Sequence, residues 1–153
     1  MNLLIVDDEE NIRDFLMLGL KKSGYSVSAC GTGREAIDAI KNEPIDVCFL
    51  DIILPDMSGI DVLMNVKEIT PSIKIIIITA LSDVKLTVKA MKLGAYDYIT
   101  KPFSFDEIEI AAKSAFDALK AERKLDIIER ELSASIKEEF IWSSPKMKEI
   151  CSL

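Results

Sequence analysis

The 153-residue sequence contains no histidine. This absence excludes the Ser-His-Asp and Cys-His pairs that many hydrolases use, an imidazole ligand for zinc, and a phosphohistidine within the chain. Any chemistry must therefore depend on carboxylates, hydroxyls, lysine or a bound metal ion.

Cysteine is also scarce, with three residues in an odd number and at irregular spacing. Cys48 lies inside an apolar run, where a reduced cysteine behaves as a small hydrophobic residue. We therefore expect Cys30, Cys48 and Cys151 to be reduced and structural.

Long hydrophobic runs and an excess of basic residues are missing as well. No run reaches the 18 apolar residues of a membrane span, and Met1-Asn2 leads into a short apolar stretch without a basic leader or cleavage site. We therefore expect a cytoplasmic protein that makes no membrane contact.

The formal charge of −7 argues against nucleic-acid contact by these residues. An acidic pocket would instead attract a cation.

Through the first hundred residues, short hydrophobic runs alternate with stretches of helical period, which is typical of βα repeats. The patterns predict strands over about 2–7, 25–30, 45–51, 74–79 and 96–100, with helices between them. Right-handed crossovers would join these into a five-stranded, parallel, doubly wound α/β sheet with helices on both faces. The apolar positions of the fourth helix are Val84, Val88 and Met91.

From Asp106 onward the pattern indicates one long helix. Leu125, Ile128 and Leu132 follow a 3/4 spacing and are flanked by charges of both signs, which predicts a short coiled-coil seam and dimerisation through it. Ala118 and Ala121 weaken that seam, and a solvated helical linker is the alternative.

Polar residues end four of the five predicted strands: Asp7-Asp8, Asp51, Thr79 and Lys101-Pro102. Because the carboxyl ends of parallel strands meet at one edge of a sheet, these side chains should converge in one crevice. Singly, each could be only a helix cap or a turn former. Together they suit Mg²⁺, which prefers oxygen ligands, and a phosphoryl group that a carboxylate accepts as nucleophile.

Residues 1 to about 120 resemble the receiver domain of two-component response regulators. Four stretches carry the resemblance: Ile5-Val6-Asp7-Asp8-Glu9, the run from Leu50 to Gly59, Ile78-Thr79-Ala80, and the run from Ala90 to Phe103. The resemblance implies a flavodoxin-like fold with strand order 2-1-3-4-5. It also implies a signalling role without catalysis other than the chain's own phosphorylation and dephosphorylation.

For the site, the resemblance implies that Asp51 receives a phosphoryl group from a phosphohistidine of a sensor histidine kinase. Mg²⁺ would be held by Asp8, Asp51 and the main-chain carbonyl of Ile53, with Asp7 assisting through water. Lys101 would pair with a phosphoryl oxygen, and the Lys101-Pro102 bond would be cis.

The resemblance further implies that Thr79 moves toward the phosphoryl group while Tyr98 repacks. This would change the face formed by the fourth helix, the fifth strand and the fifth helix, through which a homodimer would also form. Ile53 and Leu81, each two residues beyond a site residue, are apolar and cannot orient an attacking water. We therefore expect slow intrinsic dephosphorylation.

Residues 140–150 are similar to the segment that precedes the ATPase domain in nitrogen-regulation-type, sigma-54-dependent transcriptional activators. No Gly-x-x-x-x-Gly-Lys-Ser/Thr loop occurs in the sequence. The predicted organisation is a receiver domain at 1–120, a helical linker at 121–138 and the beginning of an ATPase domain at 139–153. The receiver and linker would then control an ATPase that this sequence lacks.

Three alternatives remain open from the residues. A haloacid-dehalogenase-like phosphatase also uses an aspartate nucleophile, Mg²⁺, threonine and lysine, but Asp51-Ile52-Ile53 lacks the second carboxylate of its Asp-x-Asp motif. A dinucleotide-binding module is disfavoured because Gly31-Thr32-Gly33 precedes the second helix rather than the first. The third alternative is a stand-alone receiver that acts by protein contact.

Overall fold

The computed structural model describes the backbone of residues 1–143 and the side chains of residues 1–136. Strands and helices alternate throughout, as the sequence predicts, and the predicted strand ends are within two residues of the observed ones. The elements are β1 (Asn2–Val6), α1 (Glu10–Lys22), β2 (Ser26–Cys30), α2 (Gly33–Asn42), β3 (Val47–Asp51), α3 (Gly59–Ile69), β4 (Lys74–Ala80), α4 (Val84–Lys92), β5 (Asp97–Lys101) and α5 (Phe105–Ser143).

The five strands form one parallel sheet in the order β2-β1-β3-β4-β5, which confirms the predicted flavodoxin-like topology. Successive residues of each strand face opposite sides, so the sheet separates two hydrophobic clusters. Leu4, Cys48 and Ile77 pack with α2, α3 and α4 on one side. Residues such as Leu3 and Phe49 pack with α1 and the beginning of α5 on the other. Both faces of the sheet are covered, as the uninterrupted apolar strands indicate.

The apolar residues of α4 are not where a helix with a simple buried stripe would place them. Val84 and Val88 are exposed, whereas Thr87 and Ala90 are the buried residues of this helix. A small side chain at Ala90 packs against the sheet, so the helix turns its two valines outward. This leaves an apolar surface beside the end of β4.

The first unit of the chain comprises Met1–Leu119 and the second comprises Lys120–Leu153. In the first unit, α5 buries Ile108, Ala112 and Phe116. In the second unit, the described side chains of α5 are exposed, including those of the predicted seam residues Leu125, Ile128 and Leu132. The predicted linker at 121–138 and the boundary at 120 stay predictions. The side chains of the predicted ATPase segment at 139–153, with Trp142 and Cys151, lie outside the described residues.

Cys30 and Cys48 are both free thiols. Burial raises the pKa of the Cys30 thiol to about 12, and burial also raises the pKa of Cys48. Both therefore stay protonated at neutral pH, which is consistent with a structural role.

Among residues 1–143, no helix combines the length and the apolar character that a membrane span requires.

Candidate functional site

The acidic residues predicted from the strand ends lie together at the carboxyl edge of the sheet. Asp7 and Asp8 follow β1, and Asp51 is the last residue of β3, which lies next to β1 in the sheet. One carboxylate oxygen from each of the three lies within 4.8 Å of the others. Asp7 and Asp51 are buried, whereas Asp8 is exposed and faces solvent. The predicted convergence is therefore present in the fold.

Lys101, the last residue of β5, supplies the positive charge of this cluster. Its Nζ lies 3.1 Å from Asp7 Oδ2, 3.1 Å from Asp51 Oδ2 and 3.2 Å from Glu9 Oε2. Burial alone would lower the pKa of Lys101, but the carboxylates of Asp51 and Asp7 outweigh it and raise this pKa above its usual value. Lys101 is therefore charged at any physiological pH. The Lys101–Pro102 peptide is cis, as the resemblance implied.

The Asp51 carboxylate is subject to two opposite influences. Its Oδ1 accepts a hydrogen bond from the Ile53 main-chain N–H at 3.0 Å, and Lys101 donates to its Oδ2. Burial nevertheless raises the pKa of Asp51, with the neighbouring Asp7 adding to the effect, and the two donors offset this only in part. A raised pKa means that the folded site resists the negative charge on Asp51, so that a further cation is favoured there.

The residues fit a divalent ion that prefers oxygen ligands. Asp7 Oδ1 accepts a hydrogen bond from the Glu9 N–H at 2.9 Å, whereas the buried Asp7 Oδ2 accepts no well-aligned hydrogen bond among the described residues apart from its contact with the Lys101 ammonium. Its charge is balanced only by the ion pair with Lys101. A single lysine among four carboxylates leaves the pocket negative, and three of these carboxylates lie close enough to share an ion.

The loop that follows Asp51 is tied to neighbouring elements. Asp56 accepts hydrogen bonds from the main-chain N–H groups of Gly33 and Arg34 at 2.8 and 2.9 Å, which caps the N-terminus of α2. These bonds lower the pKa of Asp56. Ile53 pairs with Ser58 in an isolated bridge and is exposed. The loop thus holds the Ile53 backbone beside the cluster, and the role of its carbonyl as a metal ligand stays a prediction.

Thr79 and Tyr98 lie on the neighbouring strands β4 and β5, outside the acidic cluster. Thr79 is buried, and its hydroxyl donates to the Ala80 carbonyl at 3.3 Å and accepts from the Thr87 hydroxyl at 3.0 Å. The Tyr98 ring is half exposed. Both residues line a largely apolar cavity of about 500 Å³, together with Leu81, Val84, Thr87, Val88 and Met91. The cavity would accommodate an aromatic ring.

The backbone of Gly59 packs against that of Asp51 and Ile52, and this contact gives the first prediction. A Cβ at this position would lie 2.5 Å from the Asp51 carbonyl oxygen and 2.6 Å from the Ile52 Cα. Because these neighbours are backbone atoms that cannot rotate away, Gly59→Ala should lower the free energy of unfolding by about 3 kcal/mol, at the upper end for overpacking. Urea denaturation measures this loss.

Gly33→Ala is the matched control for Gly59→Ala. A Cβ on Gly33 would lie 2.5 Å from Met57 Cγ, 2.8 Å from Met57 Sδ and 2.8 Å from Val62 Cγ2, which are all side-chain atoms, and rotation of the methionine can relieve part of this overlap. The loss should therefore be smaller, at about 1 kcal/mol. Equal losses in the two variants would contradict the conclusion that the backbone of Asp51 and Ile52 leaves no room for a side chain at Gly59.

Several residues around the site were not identified from the sequence. Glu9 is a third carboxylate partner of Lys101, and Arg13 Nη1 donates to the Asp7 carbonyl at 2.7 Å. Thr87 bonds the hydroxyl of Thr79. Glu9 was visible in the sequence as the third acid of an Asp-Asp-Glu run, whereas no local pattern marks Arg13 or Thr87.

The parallel sheet, the acidic cluster at its carboxyl edge and the lysine that spans it define a receiver-type signalling domain. The family model described as the response regulator receiver domain matches residues 3–113. The chain therefore belongs to the response regulator receiver domain family. Receiver domains are signalling modules of two-component systems, which bind Mg²⁺ in an acidic pocket and interact with a histidine kinase.

The curated relatives are transcriptional and response regulators. The chain is 31% identical over 150 residues to "Regulatory protein AtoC" of Escherichia coli (strain K12), which covers 97% of this chain and 32% of that protein. It is 36% identical over 126 residues to "Putative response regulator NtrX-like" of Rickettsia typhi, covering 81% of this chain and 26% of that protein. The chain thus spans about a quarter to a half of the length of the curated relatives it matches.

Solved receiver structures superpose on the same fold. A CheY-like response regulator receiver domain protein from Methanospirillum hungatei matches with a TM-score of 0.77 at 31% identity, over 79% of this chain and 97% of that one. NtrX from Brucella abortus matches with a TM-score of 0.79 at 29% identity, over 83% of this chain and 29% of that one. The fold is therefore that of known receivers.

Proposed function

We propose that this chain is a phosphorylation-activated switch in which Asp51 accepts a phosphoryl group from a sensor histidine kinase. One observation carries the proposal: the nearly buried Asp51 carboxylate lies 3.1 Å from the Lys101 ammonium, with Asp7 and Asp8 close enough to share a cation with it. A carboxylate oxygen of Asp51 would form a bond to phosphorus while the bond from phosphorus to the imidazole nitrogen of the kinase breaks. The leaving imidazole takes up a proton.

The other residues of the cluster would manage charge during this transfer. Asp8, Asp51 and the Ile53 carbonyl would hold Mg²⁺, with Asp7 assisting through water. Bound Mg²⁺ would neutralise charge on the phosphoryl oxygens. Lys101 would exchange its contact with Asp51 for one with a phosphoryl oxygen, and its raised pKa keeps it cationic for this purpose.

The switch would act through Thr79 and Tyr98. In the structure the Thr79 hydroxyl forms hydrogen bonds with the Ala80 carbonyl and the Thr87 hydroxyl, and the Tyr98 ring is half exposed. On phosphorylation, Thr79 would donate to a phosphoryl oxygen and Tyr98 would repack into the space it vacates. Turning a 1:99 mixture of conformations into 99:1 needs about 5.5 kcal/mol of differential binding. Two or three charge-assisted hydrogen bonds of about 1.5 to 3 kcal/mol each would supply it.

Phosphoryl transfer from a small-molecule donor tests this function directly. The chain, incubated with phosphoramidate and Mg²⁺, should gain the mass of one phosphoryl group, as read by intact mass spectrometry. Omission of Mg²⁺ should slow the gain strongly, because the acidic pocket then repels the anionic donor. Multiple turnover of small phosphoesters without a stable phosphorylated chain would instead support the phosphatase alternative.

The lifetime of the phosphorylated state gives a second prediction. Ile53 and Leu81 are both exposed and apolar, at 55% and 73%, and neither can orient a water for attack on the phosphoryl group. Leu81→Glu or Ile53→Asn should therefore shorten the phosphoryl half-life by about tenfold, which is less than full general base catalysis gives because the new side chain only orients the water. Loss of radiolabel after removal of the donor measures it. A conservative Leu81→Met change should leave the half-life as it was, and an unchanged half-life in both polar variants would contradict slow dephosphorylation by this route.

The output would be control of a sigma-54-dependent ATPase through dimer geometry, using the face of α4, β5 and α5 together with the linker helix. The apolar side chains at Leu125, Ile128 and Leu132 are exposed in the second unit, which supports pairing with another copy.

A third prediction follows: the sedimentation coefficient should change on addition of beryllofluoride and Mg²⁺, a mimic of the phosphoryl group on Asp51. Leu125→Ser with Ile128→Ser should remove the dimer. An unchanged coefficient would favour a stand-alone receiver.

A further inference from the structure

We propose that Thr87 is a positioning residue that restrains the switch: its hydroxyl holds the Thr79 hydroxyl away from Asp51 and so weakens phosphoryl binding. The inference rests on the proposed function and adds a layer of control to the same site. We name the Thr79–Thr87 hydroxyl pair the threonine latch. The latch joins the end of β4 to the middle of α4, and α4 is one element of the proposed output face.

The hydrogen bonds of the latch use every hydroxyl proton. Thr87 Oγ1 lies 3.0 Å from Thr79 Oγ1 and 2.9 Å from the Asp83 carbonyl, while Thr79 Oγ1 lies 3.3 Å from the Ala80 carbonyl. Thr87 donates its one hydroxyl proton to both Thr79 Oγ1 and the Asp83 carbonyl, and Thr79 donates its own proton to the Ala80 carbonyl. In this arrangement the Thr79 proton is not available to a group on Asp51.

The surroundings make this bond stronger than one on the surface. Both threonines are buried, at 2% and 8% exposure, and they line the largely apolar cavity beside α4. A hydroxyl buried among apolar groups is destabilising unless it is bonded, and water does not readily replace the lost partner there. Movement of Thr79 toward a phosphoryl group must therefore break a bond that the resting state retains.

The latch thus lowers the fraction of the chain that is ready to bind a phosphoryl group. The apparent dissociation constant of a ligand rises in inverse proportion to that fraction. One net hydrogen bond alters an equilibrium by roughly two- to tenfold. The Thr87 hydroxyl bonds to Thr79 and to the Asp83 carbonyl, and Asp83 is not a member of the acidic cluster, so the proposed effect on Asp51 passes through Thr79.

Affinity for beryllofluoride in the presence of saturating Mg²⁺ tests the latch on the full chain by isothermal titration calorimetry. Thr87→Val keeps the branched shape and removes the hydroxyl, and it should lower the dissociation constant by roughly two- to tenfold. Thr87→Ser restores the hydroxyl and should bind as the wild type does. A gain in affinity is diagnostic, because a variant that only damaged packing would bind more weakly.

A double-mutant cycle isolates the pair. In a Thr79→Ala background the partner of the latch is gone, so Thr87→Val should no longer change the affinity. Equal affinities of the wild type and Thr87→Val would overturn the latch and leave the proposed function intact, as would an undiminished gain in the Thr79→Ala background. A wild-type chain that takes up no beryllofluoride would overturn the proposed function as well.

Discussion

Asp51→Asn is expected to abolish phosphoryl uptake completely while leaving the fold intact. The amide keeps the shape of the side chain and an oxygen that accepts from the Ile53 N–H, but it offers no anionic oxygen to attack phosphorus. Intact mass spectrometry after incubation with phosphoramidate and Mg²⁺ should show no added phosphoryl group. Asp38→Asn, which removes a carboxylate from the exposed surface of α2, should be phosphorylated as the wild type is. Uptake by the Asp51 variant would place the acceptor elsewhere.

The same variant should show a stability that depends on pH in a defined direction. Burial and Asp7 raise the pKa of Asp51 in the folded chain above the unfolded value of about 3.9. Between these two values the folded chain binds the extra proton, so the wild type loses stability as the pH rises through this window. Asp51→Asn removes that loss. The free energy of unfolding of Asp51→Asn should therefore exceed that of the wild type at neutral pH, and the difference should shrink in acid. Urea titrations at several pH values measure this difference.

Lys101→Met is expected to destabilise the chain more than any other single charge removal in the described residues. Nζ contacts three carboxylates, and the side chain of Asp7 is fully buried. Leaving buried carboxylates without a cation costs 3 to 5 kcal/mol when the pair is fully enclosed. Because 24% of the Lys101 side chain is exposed, we expect a loss of about 2 to 4 kcal/mol at pH 7. Urea denaturation gives this value.

Two conditions should reduce the loss in Lys101→Met. Without the lysine, the pKa of Asp51 rises further, so the folded variant takes up a proton at moderately acidic pH and the destabilisation shrinks there. Mg²⁺ should also stabilise the variant more than the wild type, since the ion no longer competes with an ammonium group. A Mg²⁺ concentration one hundred times the dissociation constant adds about 2.7 kcal/mol to the free energy of unfolding.

Lys113→Met is the control for Lys101→Met. Lys113 forms an ion pair with Asp117 at 3.6 Å, one turn away on α5, with both side chains mostly exposed. Such surface pairs contribute about 0.5 kcal/mol or less, with no response to Mg²⁺ expected. Similar losses in the two variants, or a Lys101→Met loss that Mg²⁺ leaves unchanged, would contradict a central electrostatic role for Lys101.

The strand pattern was sufficient to predict the fold and the meeting of the acidic residues. Asp7, Asp51 and Lys101 each end an apolar run, and the geometry of a parallel sheet brings such ends to one edge whatever the order of the strands. Thr79 obeys the same rule, since it also lies at the end of its strand. The period of the hydrophobic residues is thus a local signal that specifies a non-local arrangement.

Features that depend on contact between separate elements were not accessible in this way. Thr87 lies in the middle of a helix, where a threonine has no distinctive pattern, and only the packing of α4 beside β4 brings it to Thr79. The outward direction of Val84 and Val88 has the same origin, because the side of α4 that faces the sheet is chosen by tertiary packing. Glu9 reaches Lys101 across 92 positions of sequence.

The cavity lined by Thr79 and Tyr98 also makes the coupling in the proposed switch reciprocal. Any molecule that covers or fills this space in one conformation must change the affinity of Asp51 for a phosphoryl group, by the same factor through which phosphorylation changes the affinity for that molecule. An output partner that favours the inward Tyr98 ring would therefore tighten phosphoryl binding. Information would pass through this fold in both directions, from kinase to target and from target to kinase.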